Sequence, residues 1–347
     1  MNGYERVLAG IEGREVDRLP VIPITMMFAA DTLGVSYDRY ASDYRTLVEA
    51  QLMVAQRYDF DHVSAISDPA REAADCGAAV HFCDDQPPAL DEQSSCLTQR
   101  SALASLQIPD PLAGGRMTDR VRAIERFRET VKGQRWIEGW VEGPCAEAAD
   151  LRGINRLMLD FADSPQFVTD LFEFVLELAL RFAKAQIDAG ADIIGVGDAA
   201  ASLVGPRVYR RFVYDYEKRL VDGIHAAGGR VRLHICGNTN KIQPELATLG
   251  AEIVDLDWMV SLQTARTAAN QAQVRQVYSG NIDPVRVVRN GTPQGIIAAL
   301  ERCYDEAERR DYFVAAGCEI PRDTKEENVH AIVAFSKEAR TLSPKPL

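Results

Sequence analysis

Regular alternation between β-rich and helical runs constrains the fold of this chain most strongly. After residue 135 each short apolar run is followed by a longer one whose apolar residues recur every three or four positions, the period of an amphipathic helix. Six strands are predicted here, in RWIEGWVEG ending near Gly143, DIIGVGD ending at Asp198, RVRLHIC ending at Cys236, EIVDLDW ending at Trp258, QVYSGNID ending at Asp283 and DYFVAAGC ending at Cys318. Helices are predicted near residues 164–190, 206–227, 241–249, 261–272, 293–310 and 325–340. Repeated βα units imply parallel strands joined by helical crossovers.

Three further strands are predicted upstream, in LPVIPITMMF, HVSAIS and GAAVHF, with a helix near residues 43–58. They bring the chain to about eight βα units, the number that closes a (β/α)8 barrel. An open doubly wound sheet is the alternative, but no glycine-rich phosphate-binding motif follows the first strand. We therefore predict an α/β fold, a single (β/α)8 TIM barrel domain over residues 1–347, with an irregular excursion near residues 83–115.

Composition narrows the class of protein. The chain has a formal net charge of −12 and no basic stripe, which argues against a nucleic-acid partner. No apolar run approaches the roughly 18 residues that a membrane span needs, and the first twenty residues lack the apolar core of a secretory signal. Seven cysteines in such a chain fit a reduced, cytoplasmic protein, in which a special cysteine is a ligand or a nucleophile.

Nearly every predicted strand ends in a polar or metal-binding side chain. These residues are Ser67 and Asp68, Asp198, His234 and Cys236, Asp255 and Asp257, Asn281 and Asp283, and Cys318. In a barrel the carboxyl ends of the strands meet at one face, where active sites lie. The sequence therefore predicts a functional site at this face.

His234, Cys236 and Cys318 form the candidate metal site. His234 and Cys236 are two residues apart, so on a strand their side chains point to the same side. Cys318 ends another predicted strand and would reach the same face. One histidine and two cysteines suit Zn²⁺, and three protein ligands with an open fourth position are typical of a catalytic zinc site. The alternative is a packed core pair and a buried free cysteine, both of which are common.

The acidic residues at the strand ends have two interpretations. An aspartate after a strand can serve the site, or it can cap the helix that follows. Asp283 is followed by Pro284, the pattern of a cap before a first-turn proline. Asp68 and Asp198 are the stronger candidates for the site, and Asp257 is a further one.

Several phrases, in this order, resemble the core motifs of the uroporphyrinogen decarboxylase superfamily. They are VSAISDPAREAADCGAAVHF, GDAAASLVGPRVYRRFVYDYEKRL, GAEIVDLDWMVSL, YSGNIDPVRVV and GCEIPRDTKEENVHAIV. The resemblance covers almost the whole chain and is weakest between residues 83 and 130. It implies a (β/α)8 barrel, in agreement with the number of βα units.

The sequence departs from the decarboxylase pattern at the decisive places. Its first strand, LPVIPITMMFAADTLG, has no arginine, although a polycarboxylate substrate needs cationic partners. No tyrosine follows EGP, and AAGCEIP has a cysteine where decarboxylases carry a histidine. LHICGNT supplies a His-x-Cys pair that decarboxylases lack. The chain therefore resembles the zinc-dependent cobalamin methyltransferase branch, which contains methylcobalamin:coenzyme M methyltransferase.

This resemblance implies that His234, Cys236 and Cys318 bind Zn²⁺. Asp68, Asp198 and Asp257 would be catalytic-site residues that orient the substrate or support the ligands. The implied co-substrate is a corrinoid such as methylcobalamin, carried on a separate corrinoid protein. The other substrate would be a small thiol acceptor, activated as a thiolate, or a methyl donor polarised by the metal. A homodimer is compatible with these expectations.

Two other functions stay open on the same barrel. One is a metal-free decarboxylase of porphyrin biosynthesis, in which Asp68 would stabilise a protonated pyrrole-like intermediate. The other is a barrel without catalytic activity that binds a corrinoid or a small ligand. Bound metal distinguishes the methyltransferase from the decarboxylase.

Overall fold

Parallel strands form a curled sheet whose order follows the chain. The computed structural model describes residues 1–91, 93 and 95–339. The strands are β1 (His62–Ser64), β2 (Val80–Cys83), β3 (Gln86–Leu90), β4 (Trp136–Glu142), β5 (Ile193–Gly197), β6 (Val231–Ile235), β7 (Ile253–Leu256), β8 (Val277–Ser279) and β9 (Tyr312–Phe313). The main sheet has the order β1-β4-β5-β6-β7-β8-β9, with every neighbouring pair parallel.

Helices cover the outside of this sheet, as the crossovers between parallel strands require. They are α1 (Gly3–Ile11), α2 (Met27–Leu33), α3 (Tyr37–Ser42), α4 (Tyr44–Tyr58), α5 (Arg71–Asp75), α6 (Arg116–Val131), α7 (Pro144–Arg152), α8 (Ile154–Asp163), α9 (Pro165–Ala189), α10 (Gly205–Val208), α11 (Tyr214–Ala226), α12 (Gln243–Leu246), α13 (Leu262–Ala272), α14 (Pro293–Glu306) and α15 (Glu326–Glu338). Shorter 3₁₀- or π-helical turns cover Arg100–Ser105, Ala199–Ser202, Tyr209–Val213, Asn240–Ile242 and Pro284–Arg289. Within the described part of the chain, no helix combines the length and apolar character needed to cross a bilayer.

A short extended segment, residues 19–24, closes the sheet into a ring. Val21 forms a parallel bridge with Val314, just after β9. On the other side, the backbone N–H of Asp61, which precedes β1, donates to the carbonyl of Val21 at 3.0 Å. The segment therefore takes the place of an eighth strand in the ring, and the predicted (β/α)8 barrel is confirmed.

The six strands predicted after residue 135 all form in the predicted places, but the upstream predictions need correction. GAAVHF is not part of the barrel, because its strand β2 pairs antiparallel with β3 in a separate hairpin. LPVIPITMMF forms only the closing segment, since α2 already begins at Met27. The helix predicted near residues 241–249 is reduced to a 3₁₀ turn and the single turn α12. Residues 92, 94 and 340–347 lie outside the described part, so the single domain over 1–347 stays a prediction.

The interior of the barrel is apolar at its amino-terminal end. Inward-facing residues from the closing segment and five strands pack together there and against Tyr4, Leu8 and Ile11 of α1. They are Ile22, Trp136, Ile193, Ile253, Val277 and Phe313. Burial of each such side chain stabilises the fold by about 1.5–3 kcal/mol. Because α1 packs against this apolar layer, the helix closes the amino-terminal end of the barrel. The functional groups are left to the opposite end.

We predict that Asp61→Ala destabilises the barrel by about 3–5 kcal/mol. The Asp61 carboxylate is 1% exposed and accepts hydrogen bonds from the side chains of Arg6 and Arg18 and from the backbone N–H of Val21. Its removal takes the one buried carboxylate away from both guanidinium groups, which keep only the more exposed Asp17 and Asp59 as ion-pair partners, and loss of a buried partner typically costs this much. Chemical denaturation measures the loss.

Asp188→Ala is the matched control, because Asp188 forms an exposed i,i+4 pair with Lys184 at 2.7 Å on α9. Loss of such a pair costs only about 0.3–0.5 kcal/mol. Equal destabilisation by both substitutions would contradict the role assigned to Asp61 in closing the ring.

Candidate metal centre

Three side chains meet at the carboxyl-terminal end of the barrel. His234 lies on β6, Cys236 directly follows that strand, and Cys318 follows β9. His234 Nε2 is 2.9 Å from Cys236 Sγ, and the two sulfur atoms are 3.7 Å apart. One donor atom from each residue lies within 4.8 Å of the other two. The structure thus brings together the three residues predicted as metal ligands.

The second nitrogen of His234 is directed at Asp255 on β7. His234 Nδ1 is 3.1 Å from Asp255 Oδ2 and 3.2 Å from the carbonyl oxygen of the same residue. These acceptors favour a proton on Nδ1 and so leave Nε2 as the nitrogen that faces the thiols. A carboxylate behind a metal-binding histidine is a common arrangement, because it fixes the ring and strengthens the ligand.

Asp255 is itself held by a buried ion pair. Its Oδ2 atom accepts a hydrogen bond from Arg232 Nη2 at 2.9 Å, and Arg232 Nη1 donates to Glu138 Oε1 at 3.2 Å. All three side chains are almost fully buried. Burial opposes ionisation of Asp255, but the charge of Arg232 and the hydrogen bond from His234 lower the pKa of Asp255 to about 2. Asp255 is therefore a carboxylate throughout the physiological pH range.

The cluster also shifts the protonation of its own members. The hydrogen bond from Cys236 outweighs burial and lowers the pKa of Cys318 to about 4, while the same contact raises the pKa of Cys236. Burial disfavours the charged form of His234, but Cys236 and Asp255 raise its pKa above the ordinary value. One thiolate is thus available at neutral pH, and an ion that binds here displaces the remaining protons.

The donor set fits a tetrahedral ion such as Zn²⁺. With metal–sulfur bonds of about 2.3 Å, two sulfur ligands of a tetrahedral ion lie about 3.8 Å apart, close to the observed separation of the Cys236 and Cys318 sulfur atoms. The distance from His234 to Cys236 is that of a hydrogen bond, and it would lengthen to about 3.6 Å around such an ion. Both cysteines are half-buried, so the cluster is not sealed within the barrel.

Asp198 is next to the cluster but serves a helix. Its backbone N–H donates to the carbonyl of His234 at 2.9 Å. Its carboxylate accepts the backbone N–H groups of Cys145 and Ala146, at 3.2 and 2.7 Å, and so caps α7. Burial raises the pKa of Asp198 to about 6, and its carboxyl group also hydrogen-bonds with Glu217. The predicted site residue therefore connects the wall of the site to α7 and has no free oxygen.

Asp68 is bound by an arginine that sequence reasoning missed. Arg116 Nη1 and Nη2 bind the two carboxylate oxygens of Asp68 at 2.8 and 2.7 Å, and Ser67 Oγ donates to Oδ2 at 2.7 Å. Burial opposes ionisation, but this fork holds the pKa of Asp68 below its usual value. Arg116 belongs to the stretch in which the resemblance to the superfamily is weakest, so no motif pointed to this pair.

Asp257 shapes the loop beside Cys318. Its Oδ1 atom accepts the backbone N–H of Met259 at 2.8 Å, which fixes the turn after β7. Gly317, the residue before Cys318, packs so closely on this turn that a Cβ atom would overlap the backbone nitrogen of Trp258. Asp257 is therefore linked to the cluster only through the backbone of this loop. Asp283 caps the turn that begins at Pro284, as its sequence predicts.

Two residues of the charged support, Arg232 and Glu138, were not predicted. Asp255 was recognised as an acid at a strand end but was not among the predicted catalytic residues. A signal did exist for Arg232, because Arg232 and His234 alternate on one face of β6 and Cys236, directly after the strand, continues the alternation. An arginine facing the interior of a barrel needs a carboxylate partner, and the acids at inward positions of the neighbouring strands were the candidates.

Comparisons with known proteins agree with this description of the fold. The sequence profile of the uroporphyrinogen decarboxylase (URO-D) family matches residues 2–339. A protein named methylcobamide:CoM methyltransferase MtbA, from Methanosarcina mazei, is 24% identical over 343 residues, covering 97% of this chain and 98% of its own. A uroporphyrinogen decarboxylase from Psychromonas ingrahamii is 23% identical over 299 residues, covering 81% of each chain. A solved structure described as a methyltransferase from Methanosarcina mazei shares the fold with a TM-score of 0.88, at 23% identity, over 97% of this chain and 99% of that chain.

We predict that the metal-free protein retains one thiolate down to acidic pH. The lowered pKa of Cys318 keeps this residue ionised at pH 7 and lets it become protonated only as the pH falls through about 4. The ultraviolet absorbance of the thiolate, followed during an acid titration after treatment with a chelator, measures this transition.

Cys236→Ala removes the hydrogen-bond donor and should move the transition toward the ordinary cysteine value near 8.5. Cys303→Ala is the control, since Cys303 lies outside the cluster and burial raises its pKa. A transition near 8.5 in the unsubstituted protein would contradict the described interaction between the two thiols.

Proposed function

The chain belongs to the uroporphyrinogen decarboxylase (URO-D) family, as its motifs predict, and from this premise we propose that it is a zinc- and corrinoid-dependent methyltransferase. The proposed reaction moves a methyl group between a corrinoid and a small thiol or methylated substrate. Similarity over 97% of this chain to a protein named methylcobamide:CoM methyltransferase supports this function. A uroporphyrinogen decarboxylase from Synechococcus sp. also matches over 97% of this chain, so the side chains of the site, and not the extent of the similarity, favour the methyltransferase.

The cluster of His234, Cys236 and Cys318 is the observation that carries the proposal. A tetrapyrrole decarboxylase has no use for two thiols and an imidazole within 4.8 Å of one another, whereas a catalytic zinc site requires such a set. In residues 1–91, 93 and 95–339, no fourth histidine, cysteine or acid joins the group. The fourth position of a bound ion would therefore belong to the substrate.

A Zn²⁺ ion held here would lower the pKa of a substrate thiol or polarise the heteroatom of a methyl donor. The rest of the work falls to the chain. Cys236 and Cys318 supply two negative charges that balance those of the ion, and Asp255 holds the imidazole of His234 in place. Because both cysteines are only half-buried, the cluster is accessible to a small substrate.

Asp68, Asp198 and Asp257 are proposed to support the site without contacting the reacting atoms. Asp198 ties the backbone of His234 to α7, and Asp257 fixes the loop that packs beside Cys318. Asp68 holds Arg116 in a two-pronged ion pair. Substitution of any of them should affect the arrangement of the site more than the chemistry of the metal.

The corrinoid is proposed to be a co-substrate that meets the barrel at the end where the cluster lies. Active sites of (β/α)8 barrels open at this end, and the opposite end is closed by α1. We propose that a separate corrinoid protein brings the group to this end, where its cobalt atom would approach the substrate beside the cluster. The acceptor or donor is proposed to be a small thiol or a methylated molecule.

We predict that the purified protein contains about one zinc ion per chain and that Cys318→Ala abolishes this binding, because only two ligands then remain. Elemental analysis measures the metal. Cys303→Ala is the matched control, since Cys303 is also half-buried but hydrogen-bonds with Asn281 at 3.6 Å, outside the cluster. Metal-free protein that decarboxylates uroporphyrinogen would overturn the proposal in favour of the alternative function.

We also predict methyl transfer with free methylcobalamin and a suitable thiol. The visible spectrum distinguishes methyl-Co(III) from Co(I), so a panel of small thiols and methyl donors can be screened in both directions. Cys318→Ala should reduce the rate at least about 100-fold, the order of loss expected when a catalytic electrostatic group is removed. The absence of spectral change with every member of the panel, for zinc-loaded protein, would contradict the methyltransferase function.

A further inference from the structure

A chain of charged side chains runs through the interior of the barrel beneath the cluster. It begins at Glu138 on β4, continues through Arg232 on β6 to Asp255 on β7, and ends at the imidazole of His234. The successive distances are 3.2, 2.9 and 3.1 Å. Arg232 is 1% exposed, and Glu138 and Asp255 are each 2% exposed. This series of charged side chains therefore lies where a barrel normally packs branched apolar residues.

Arg232 bridges carboxylates of β4 and β7 across the intervening strand β5. β5 lies between β4 and β6 and has Gly195 in register with Arg232. Gly195 contributes no side chain at this level, and the ring of Trp140 fills the space that its Cβ atom would need. The guanidinium fork then binds one carboxylate with each terminal nitrogen, a geometry that a lysine cannot reproduce.

Stability alone does not call for this arrangement. Replacement of a buried ion pair or triad by apolar residues of similar volume is often neutral or stabilising, because desolvation offsets the attraction between the charges. The series of charged side chains does, however, end at a nitrogen atom of His234, a proposed metal ligand. Its direct effect is to fix the Asp255 carboxylate against Nδ1 of His234, and this contact decides which nitrogen of the ring faces the thiols.

We propose that Arg232, braced by Glu138, is a positioning residue for the metal centre. This inference rests on the proposed function, since it takes His234, Cys236 and Cys318 as the metal ligands. Arg232 holds Asp255 in the orientation that keeps His234 Nε2 directed at the two sulfur atoms. The backbone carbonyl of Asp255, 3.2 Å from Nδ1, is a second acceptor, so loss of the carboxylate contact weakens the centre without abolishing it.

The test compares metal binding by the unsubstituted protein and by the double variant Glu138→Gln/Arg232→Met. The double substitution removes one positive and one negative charge together, so that no charge of the bridge is left without its partner except that of Asp255. We expect at least about a tenfold loss of Zn²⁺ affinity in competition with a chelating dye, the range typical for groups that orient metal ligands. We also expect an altered absorption spectrum of the Co²⁺-substituted protein, which reports on the geometry of the ligands.

Arg266→Met is the matched control. Arg266 is 2% exposed, and its guanidinium donates to the backbone carbonyls of Gln276 and Arg310 at 3.1 and 2.8 Å, away from the cluster. This variant should keep the Zn²⁺ affinity and the Co²⁺ spectrum of the unsubstituted protein. The single variant Arg232→Lys should bind Zn²⁺ more tightly than the double variant but less tightly than the unsubstituted protein, because an ammonium group cannot bind both carboxylates as the guanidinium fork does.

A folded double variant with unchanged affinity and an unchanged Co²⁺ spectrum would overturn the inference. If the double variant does not fold, Asp255→Asn tests the same link, because the amide keeps the shape of the carboxylate but not its charge. Unchanged metal binding by that variant would equally overturn the inference. Failure of the unsubstituted protein to bind Zn²⁺ would instead contradict the proposed function, so the two failures are distinct.

Discussion

Closure of the parallel sheet into a ring is the constraint on which the rest of the structure depends. Residues 19–24 complete the ring by pairing with Val314 on one side and Asp61 on the other. Since side chains alternate along a strand, closure turns every second residue toward the interior, and since all strands are parallel, their carboxyl ends meet at one face. β6 and β9 are separated by two other strands, yet the ring brings the side chains at their ends into contact.

Electrostatics within the ring gives the same residue type opposite properties. Asp255 and Asp198 are both fully buried, but the first has a pKa of about 2 and the second a pKa of about 6. Burial raises both values. Asp255 overcomes it with the positive charge of Arg232, whereas Asp198 faces only backbone N–H groups and a second acid. Asp255 thus places a fixed negative charge behind His234. Asp198, beside it, caps a helix and is ionised less readily.

The features that could be predicted from the sequence were those set by local spacing. His234 and Cys236 share a face because they are two residues apart, and Cys318 joins them because it ends another strand of the same ring. What escaped prediction depends on partners distant in the chain. Arg116 is 48 residues from Asp68, and the role of Asp198 depends on α7 beginning beside it. Alternation also could not show that β2 would pair with β3 outside the barrel, since an apolar run does not specify its partner strand.

Membership of the family fixes the fold but not the chemistry, which depends on the side chains at the open end of the barrel. A decarboxylase with a polycarboxylate substrate needs cations that are free to bind it. Arg116 instead binds both oxygens of Asp68, and Arg71 binds Glu142 at 2.9 Å and lies 3.3 Å from Glu72. Each of these arginines is already neutralised by a carboxylate of the protein itself. The thiols and imidazole of the cluster are ligands suited to a metal ion and not partners for a carboxylate substrate. The side chains therefore favour methyl transfer over the removal of carboxylates on this barrel.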